Sequence, residues 1–267
     1  MYSLMSTLYA RRVPEPDSNA VRGPVWARPE PSGRTPRLSR EQIAAAALAI
    51  ADADGLTAVS MRRLAAELGS GTMSLYRYLD GRGDLVALMA DALSAEVLVP
   101  SGEMPADWRA ALASIARRTR AAYLRHPWAV HALHGEAAAR NGAPMGPNGL
   151  CRFEQSLAAV ASAPFDTAGR LGLLTLVDDY VLGHVLRAAE LQARSRARPD
   201  PAESAASAAF VADQLRSGRF PRLEALSADP AARSVVGEEE LTERFELGLQ
   251  ALIDTAFRAW AYPDRGI

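Results

Sequence analysis

The 267-residue chain carries a formal net charge of −1, and 49% of its residues are hydrophobic. A near-neutral chain is no polycation of the histone kind, so any contact with nucleic acid must come from a local surface. Many alanines and leucines, with few β-branched and aromatic residues, favour helix. We therefore predict an all-α protein with room for one large or two modest domains.

Cysteine usage and hydropathy indicate a soluble, cytoplasmic protein without a membrane span. Cys151 is the single cysteine, which excludes an intramolecular disulfide framework and a zinc ribbon. The apolar stretch near the N-terminus precedes its arginines, which is the reverse of a signal peptide. The longest apolar run, 171–186, is interrupted by two aspartates and a histidine and is too short to cross a bilayer.

The first 38 residues are predicted to form a disordered arm, because they hold six prolines among polar residues and cannot assemble a core. Counted with Arg40 at the start of the first helix, the arm has seven arginines against three acidic residues. Such a basic arm can reach DNA phosphates or a minor groove, so Arg40 is a candidate DNA contact. An inert tail is the alternative for residues 1–30.

Residues 39–93 show the signals of a compact domain of short helices. Ser39 followed by Gln42 is a capping-box pattern, and apolar residues then recur at helical spacing. Ser60 predicts the start of a second helix, which Gly69 ends, because glycine favours the left-handed backbone of a helix end. Short helices of this kind need neighbours to be stable.

A third short helix is the candidate for reading DNA. Thr72 is placed to cap it, and Leu75 and Leu79 lie four residues apart and face inward, which leaves the other residues pointing outward. A fourth helix, from residues 84–85 to Val97, completes the scaffold. Two short helices joined by a tight glycine turn form a helix-turn-helix, which places its second helix in the major groove of duplex DNA.

Beyond Pro100 the sequence favours longer amphipathic helices, and no alternating strand pattern competes with them. Breakers at 141–149 and 196–201, and the segment around 217–237, mark the connections. We assign residues 94–262 to a second, helical domain. Its predicted helices are 108–125, 127–139, 150–161, 167–194, 202–216 and 238–261.

The first domain resembles the tetracycline-repressor (TetR) family of bacterial regulators. The matching segments are IAAAALAIADADGLTAVSMRRLAAELG in the first two helices, LYRYL in the third and GRGDLVALM at the start of the fourth. The resemblance implies a three-helix helix-turn-helix DNA-binding domain followed by a C-terminal helical ligand-binding and dimerisation domain. It also implies a repressor that binds a pseudo-palindromic, double-stranded DNA operator as a homodimer and is released by a small-molecule effector.

The same resemblance assigns DNA contacts to the second and third helices. Arg77 can grip a guanine through two hydrogen bonds, and the Thr72 methyl group can pack on a thymine methyl group. Met73 is as suited to packing as to reading a base. Residues expected to face base edges are Thr72, Met73, Ser74 and Arg77, and those near the phosphate backbone are Ser60, Arg62, Tyr76, Tyr78 and Arg82.

A ligand pocket is expected in the C-terminal domain, for a mostly apolar molecule with a few polar groups. His131 and His134 share a helical face, but Arg187 stands where tetracycline-binding members of the family have an acid beside their metal-binding histidine. We therefore expect neither a metal nor a cofactor. The predicted pocket residues, for which core packing is the alternative, are Trp108, Ile115, Tyr123, Trp128, His131, His134, Phe153 and Leu157.

Two further segments, LVDDYVLGHVLRAAELQ and RFELGLQALIDTAFRAW, resemble the helices that pair across the family's dimer as a four-helix bundle. Their apolar faces are wide enough for such pairing. The alternative is that the same residues line the core of the domain itself. The candidate interface residues are Asp178, Tyr180, His184, Leu186, Phe245, Leu249 and Leu252.

Catalysis has no support in the sequence, so we expect no enzyme. Asp178 and Asp179 are adjacent on a helix and point about 100° apart, and Cys151 lacks a Cys-His signature. The alternative to a transcriptional regulator is a helical protein-interaction or small-molecule-binding module without sequence-specific DNA binding. Salt-dependent binding of duplex DNA through Arg62, Arg77 and Arg82 distinguishes the two.

Overall fold

The computed structural model describes residues 23–31, 38–130, 145–196, 200–229 and 238–261. No strand occurs in these ranges, and the prediction of an all-α protein is confirmed. The helices, numbered in chain order, are α1 (Arg40–Asp54), α2 (Met61–Glu67), α3 (Thr72–Leu75), α4 (Arg82–Val97), α5 (Trp108–Arg125), α6 (Pro147–Ala159), α7 (Thr167–Arg196), α8 (Pro201–Arg216), α9 (Pro221–Ala228) and α10 (Glu238–Ala261).

Capping side chains begin α1 and α2 at the predicted positions. The Ser39 hydroxyl accepts a hydrogen bond from the Gln42 amide at 3.2 Å, while the Gln42 side chain accepts one from the Ser39 amide at 2.9 Å. Ser60 accepts a bond from the backbone amide three residues later, at 3.2 Å. The third helix differs from the prediction, because Gly71 occupies the N-cap position and Thr72 is the first helical residue.

The first domain buries one continuous core among α1 to α4. Ile43, Leu64, Leu75 and Leu79 are completely buried in it. Ile43, Leu64 and Leu75 come from three different helices, and the short α2 and α3 owe their stability to this packing. Gly69, with φ of 58°, makes the left-handed turn between α2 and α3. Burial of the two leucines leaves the opposite face of α3 exposed.

Residues 23–31 are packed onto this domain, and we call them the N-terminal strap. Val25 lies in the domain core and is 1% exposed. The guanidinium of Arg28 lies 2.6 Å from the carboxylates of both Asp80 and Asp84. The predicted disorder is therefore wrong for the strap, because its partners are distant in sequence. Most of the rest of the predicted arm lies outside the described ranges.

The junction between the two domains is built around His126, which is buried at the end of α5. Its Nδ1 lies 2.7 Å from the carboxylate of Asp52 on α1, and its Nε2 lies 3.2 Å from that of Glu96 on α4. The Trp128 indole donates a hydrogen bond to the same Asp52 oxygen at 2.7 Å. One histidine thus joins the helix-turn-helix domain to the helices that follow it.

The C-terminal domain packs α5, α7 and α10 around a second core, with α6 beside them. Leu173 and Val181 of α7, and Phe245, Leu249 and Ile253 of α10, are at most 1% exposed. Helical spacing places these residues on one stripe of each helix. The bounds of all three core helices agree with the predicted segments to within about two residues.

Two helices, α8 and α9, contribute no buried residue to either core. The second of them lies in the segment around 217–237, where the sequence predicts a loop. Pro221 is the first residue of α9. Proline has no backbone N–H, but an N–H at this position has no hydrogen-bond acceptor within the helix, so nothing is lost. The same proline that suggests a loop in the sequence therefore begins a helix in the structure.

Candidate DNA-binding surface and ligand cavity

The outer face of α3 is exposed to solvent. Met73 is 76% exposed and Tyr76 is 48% exposed, whereas Leu75 on the inner face is completely buried. Arg77, which follows the helix, is also exposed. A helix with an anchored inner face and an exposed outer face can enter a major groove without disturbing the core of its domain. The two other candidates for base contact, Thr72 and Ser74, are half-buried.

The side chains of Arg62 and Arg77, both predicted to contact DNA, are free of polar partners among the described residues. Both are exposed, and neither has a hydrogen bond or an ion pair within the described part of the chain. Arg63 differs, because its guanidinium lies 2.7 Å from the Asp54 carboxylate. A guanidinium without a protein partner offers all its donors to a phosphate or a guanine. Ser60 is exposed beside them at the start of α2.

The expected phosphate contact of Tyr78 is corrected by the structure. Its side chain is 7% exposed, and its hydroxyl donates a hydrogen bond to the Leu38 carbonyl at 2.8 Å. Leu38 directly precedes the capping box of α1, so Tyr78 holds the start of that helix. The sequence does contain a signal for this burial. Tyr78 follows the inward-facing Leu75 by three residues, which puts the two side chains on the same helical face.

Two arginines predicted to contact DNA donate hydrogen bonds to the backbone. Arg82 donates to the Val59 carbonyl at 2.8 Å and to the Leu56 carbonyl at 3.2 Å. Arg40 donates to the Arg28 carbonyl at 2.8 Å. These bonds stabilise the turn before α2 and the N-terminal strap, so a phosphate would have to share each guanidinium with them. Contact of either arginine with DNA stays a prediction.

A cavity of about 70 Å³ lies between α5, α6 and α7 of the C-terminal domain. Ile115 and Phe153, which are two of the predicted pocket residues, lie in its wall. Most of the wall is apolar, as in sites for small organic molecules. The lining residues are Leu112, Ile115, Ala116, Thr119, Met145, Gly149, Arg152, Phe153, Ser156, Leu174, Val177, Asp178 and Val181.

Four other predicted pocket residues do not line this cavity. Trp108 is 6% exposed and lies edge-on to Phe165, with ring centroids 5.7 Å apart. Leu157 packs against the core of the C-terminal domain, and Trp128 lies at the domain junction. Tyr123 is buried in the same core, and burial raises the pKa of its phenol to about 12. Packing, the alternative interpretation, therefore accounts for these four. The remaining two, His131 and His134, lie outside the described ranges.

Two charged side chains lie in the cavity wall, and the sequence reasoning predicts neither as a ligand contact. Arg152 of α6 and Asp178 of α7 are both half-buried. Neither has a hydrogen bond or an ion pair within the described residues. The side chain of Asp178 lines the cavity, and its expected position at a dimer interface stays a prediction. The sequence contains one signal for a role of Asp178 in ligand binding, since it is an acidic residue within an apolar stripe of a helix.

Two of the apolar residues expected at a dimer interface, Phe245 and Leu249, lie in the core of the domain. Phe245 and Leu249 are at most 1% exposed within the single chain. The Tyr180 ring stacks on Phe245 at 5.6 Å, and its hydroxyl donates to the Phe245 carbonyl at 3.1 Å. Leu186 and Leu252 are half-buried against the same core. Core packing explains the buried Phe245 and Leu249, because α7 and α10 pack on each other. A place of the half-buried residues at a dimer interface stays a prediction.

His184 lies in this contact as well, between α5, α7 and α10. Its ring centroid is 4.9 Å from that of Phe245, and its Nε2 accepts a hydrogen bond from Arg120 at 3.1 Å. Burial, with a smaller effect of the Arg120 charge, lowers the pKa of His184 to about 4. The imidazole is therefore neutral at pH 7.

The described residues contain no cluster of His, Cys, Asp and Glu side chains suited to a metal ion. Within the same ranges, no helix combines the length and the apolar character needed to cross a bilayer.

Comparison with known proteins identifies the family. Residues 101–255 match the family model described as "Tetracyclin repressor-like, C-terminal domain". The chain is 33% identical over 225 residues to the HTH-type transcriptional repressor DrrR1 of Streptomyces coeruleorubidus, which covers 83% of this chain and 78% of the relative. Its fold is similar to that of apo ActR from Streptomyces coelicolor, with 29% identity, a TM-score of 0.61 and coverage of 84% of this chain and 96% of that chain. ActR in complex with actinorhodin is 28% identical with a TM-score of 0.59, covering 84% and 97%. The chain belongs to the TetR family of ligand-responsive, DNA-binding transcriptional regulators, which are not enzymes.

Proposed function

We propose that this regulator is a repressor that acts in the cytoplasm, binds a pseudo-palindromic operator as a homodimer and is released by a small-molecule effector. The observation that carries the proposal is the geometry of α3. Leu75 anchors its inner face, whereas Arg77 is exposed and has no partner among the described residues. A guanidinium in this position can select guanine through two hydrogen bonds. The name of DrrR1, a transcriptional repressor, supports repression.

The proposed homodimer matches the symmetry of the proposed operator. Two copies of α3 related by a dyad match two half-sites, one for each copy. Leu176 on α7 is 40% exposed and Leu247 on α10 is 72% exposed in the single chain, so both are candidates for a self-complementary contact. Light scattering should give twice the chain mass of 28.6 kDa, and a single-chain mass would contradict the dimer.

Release by an effector requires a connection between the cavity and α3. Asp91 on α4 accepts hydrogen bonds from the Asn148 side chain at 2.9 Å and from the Gly149 amide at 3.0 Å, at the start of α6. A wall of the cavity is thereby attached to α4, which packs on α1 in the DNA-binding domain. In one conformation of the dimer the two α3 helices are spaced to match the operator, and in another they are not. An effector releases DNA if it binds the second conformation more tightly than the first, by a few kcal/mol. The complex of ActR with actinorhodin supports a small molecule in this role.

The DNA-binding proposal is tested by titrating the Arg77→Ala variant with the intergenic DNA next to the gene. The DNA is fluorescently labelled, and anisotropy is recorded at fixed salt. If Arg77 reads a base, the substitution costs about 1–3 kcal/mol of binding free energy and relaxes sequence choice. Arg216→Ala, on α8 in the other domain, is the matched control and should bind like the wild type. Equal operator affinity of wild type and Arg77→Ala would exclude the base contact.

A further inference from the structure

The cavity between α5, α6 and α7 holds two opposite charges that do not neutralise each other. Arg152 and Asp178 both line it and are half-buried, and neither has a partner among the described residues. Partial burial of a charge is unfavourable when no protein group replaces the water it loses. The two side chains are therefore placed to be neutralised by a molecule that enters the cavity.

The hydroxyl groups in the cavity wall donate their hydrogens to backbone carbonyls of their own helices. Thr119 donates to the Ile115 carbonyl at 2.9 Å, and Ser156 donates to the Arg152 carbonyl at 3.0 Å. Both oxygens can still accept a hydrogen bond. Among the described side chains of the wall, Arg152 is then the donor that a ligand meets.

The buried Tyr123 does not neutralise Arg152 either. Burial raises the pKa of this phenol to about 12, and the charges of Arg152 and Asp178 have smaller and opposite effects on it. The phenol is protonated and uncharged at pH 7. Among the described residues, no group supplies a negative charge to Arg152 or a positive charge to Asp178, so a ligand can supply both.

We propose that the effector is a zwitterion with an apolar body, whose anionic group pairs with Arg152 and whose protonated amine pairs with Asp178. The inference rests on the proposed function, in which this cavity is the effector site. Leu112, Ile115 and Val177 supply the apolar surface that covers the body. Such an arrangement gives orientation as well as affinity, because only one direction of the ligand satisfies both charges.

Four benzene derivatives provide a matched set of probes, because each has a single aromatic ring as a small apolar body and a different charge. Benzyl alcohol is neutral, benzoate is an anion, benzylamine is a cation and 4-(aminomethyl)benzoate is a zwitterion. Binding is followed by isothermal titration calorimetry. The wild type should bind the zwitterion about hundredfold more tightly than benzyl alcohol, which is about tenfold for each of the two charge pairs.

Variants that remove one charge separate the two roles. Arg152→Gln should weaken benzoate binding about tenfold and should not weaken benzylamine binding, whereas Asp178→Asn should show the reverse. Arg152→Lys keeps the charge and should keep the preference for the anion. Glu154→Gln, at an exposed position of α6, is the matched control and should bind every probe like the wild type. Unchanged binding of benzyl alcohol shows that a variant is folded.

The outcomes distinguish this inference from the proposed function. If the wild type binds benzyl alcohol, but neither variant changes the affinity of a charged probe, the zwitterion is overturned and the cavity stands as a small-molecule site. If the wild type binds none of the probes, the effector cavity itself fails, and the inference fails with it. Opposite changes of selectivity in the two variants support both the effector cavity and the zwitterion.

Discussion

Replacing Arg28 by alanine should detach the N-terminal strap from the helix-turn-helix domain. The guanidinium joins Asp80, which precedes α4, to Asp84 in its first turn, at 2.6 Å each. The side chains of Arg28 and Asp84 are only 19% and 20% exposed, and that of Asp80 is 41% exposed. The strap is thus held by one ion pair that is largely shielded from water, with Asp84, and by a more exposed one with Asp80.

The exposure of these side chains determines the expected magnitude. Removing one partner of a fully buried pair costs about 3–5 kcal/mol, while exposed pairs contribute about 0–1 kcal/mol. The Arg28–Asp84 pair lies between these limits, so Arg28→Ala should lower the free energy of unfolding by about 2 kcal/mol. Arg63→Ala is the matched control, because its pair with Asp54 is 2.7 Å long but 49% and 46% exposed. Its loss should cost less than about 1 kcal/mol.

Urea denaturation followed by circular dichroism measures both variants, as shifts in midpoint at constant slope. A destabilisation of equal size in Arg28→Ala and Arg63→Ala would refute the reasoning, because burial is the property that separates the two pairs. Removal of residues 1–31 should destabilise the protein at least as much as Arg28→Ala, since it also deletes the buried Val25.

Three further predictions concern contacts between helices. Gly248→Ala should cost about 1 kcal/mol in thermal unfolding, because the new Cβ displaces the Tyr180 hydroxyl from its carbonyl acceptors; an unchanged melting temperature would contradict this. Lowering the pH from 7 towards 4 should destabilise the wild type. The unfolded histidine gains a proton near its ordinary pKa of 6.5, whereas burial holds the pKa of His184 at about 4. Between pH 7 and pH 4, the free energy of unfolding measured by urea titration should fall less in His184→Gln than in the wild type. An equal fall in the two proteins would contradict the role of His184. His126→Ala should lower the free energy of unfolding by about 2 kcal/mol in the same assay, because two carboxylates lose their shared partner; wild-type stability would count against the junction.

Interactions over a few residues explain why most of the helices could be predicted. Ser39 and Gln42 form their capping box within one turn, and Gly69 adopts a left-handed backbone that other residues resist. The long helices of the C-terminal domain follow from their amphipathic periodicity. The helix α9 could not be predicted in this way, because a proline at the start of a helix and a proline in a loop look alike in the local sequence.

The functional roles of side chains were harder to predict, because they depend on contacts between distant residues. The hydroxyl of Tyr78 bonds to Leu38, and Arg28 pairs with Asp84, across 40 and 56 positions of the sequence. Periodicity shows that Phe245 lies on an apolar helical face. It does not show whether that face meets the same chain or a partner.

By itself, the sequence determined that this protein is helical, that it reads DNA with a helix-turn-helix and that it belongs to the TetR family. Only the tertiary structure decided that Arg77 has no partner among the described residues while Arg82 is bonded to the backbone. It also decided that Arg152 and Asp178 line the same cavity. The physical reason is that caps, turns and helical periodicity act over a few residues, whereas burial and charge pairing depend on distances between parts of the chain that are far apart in sequence.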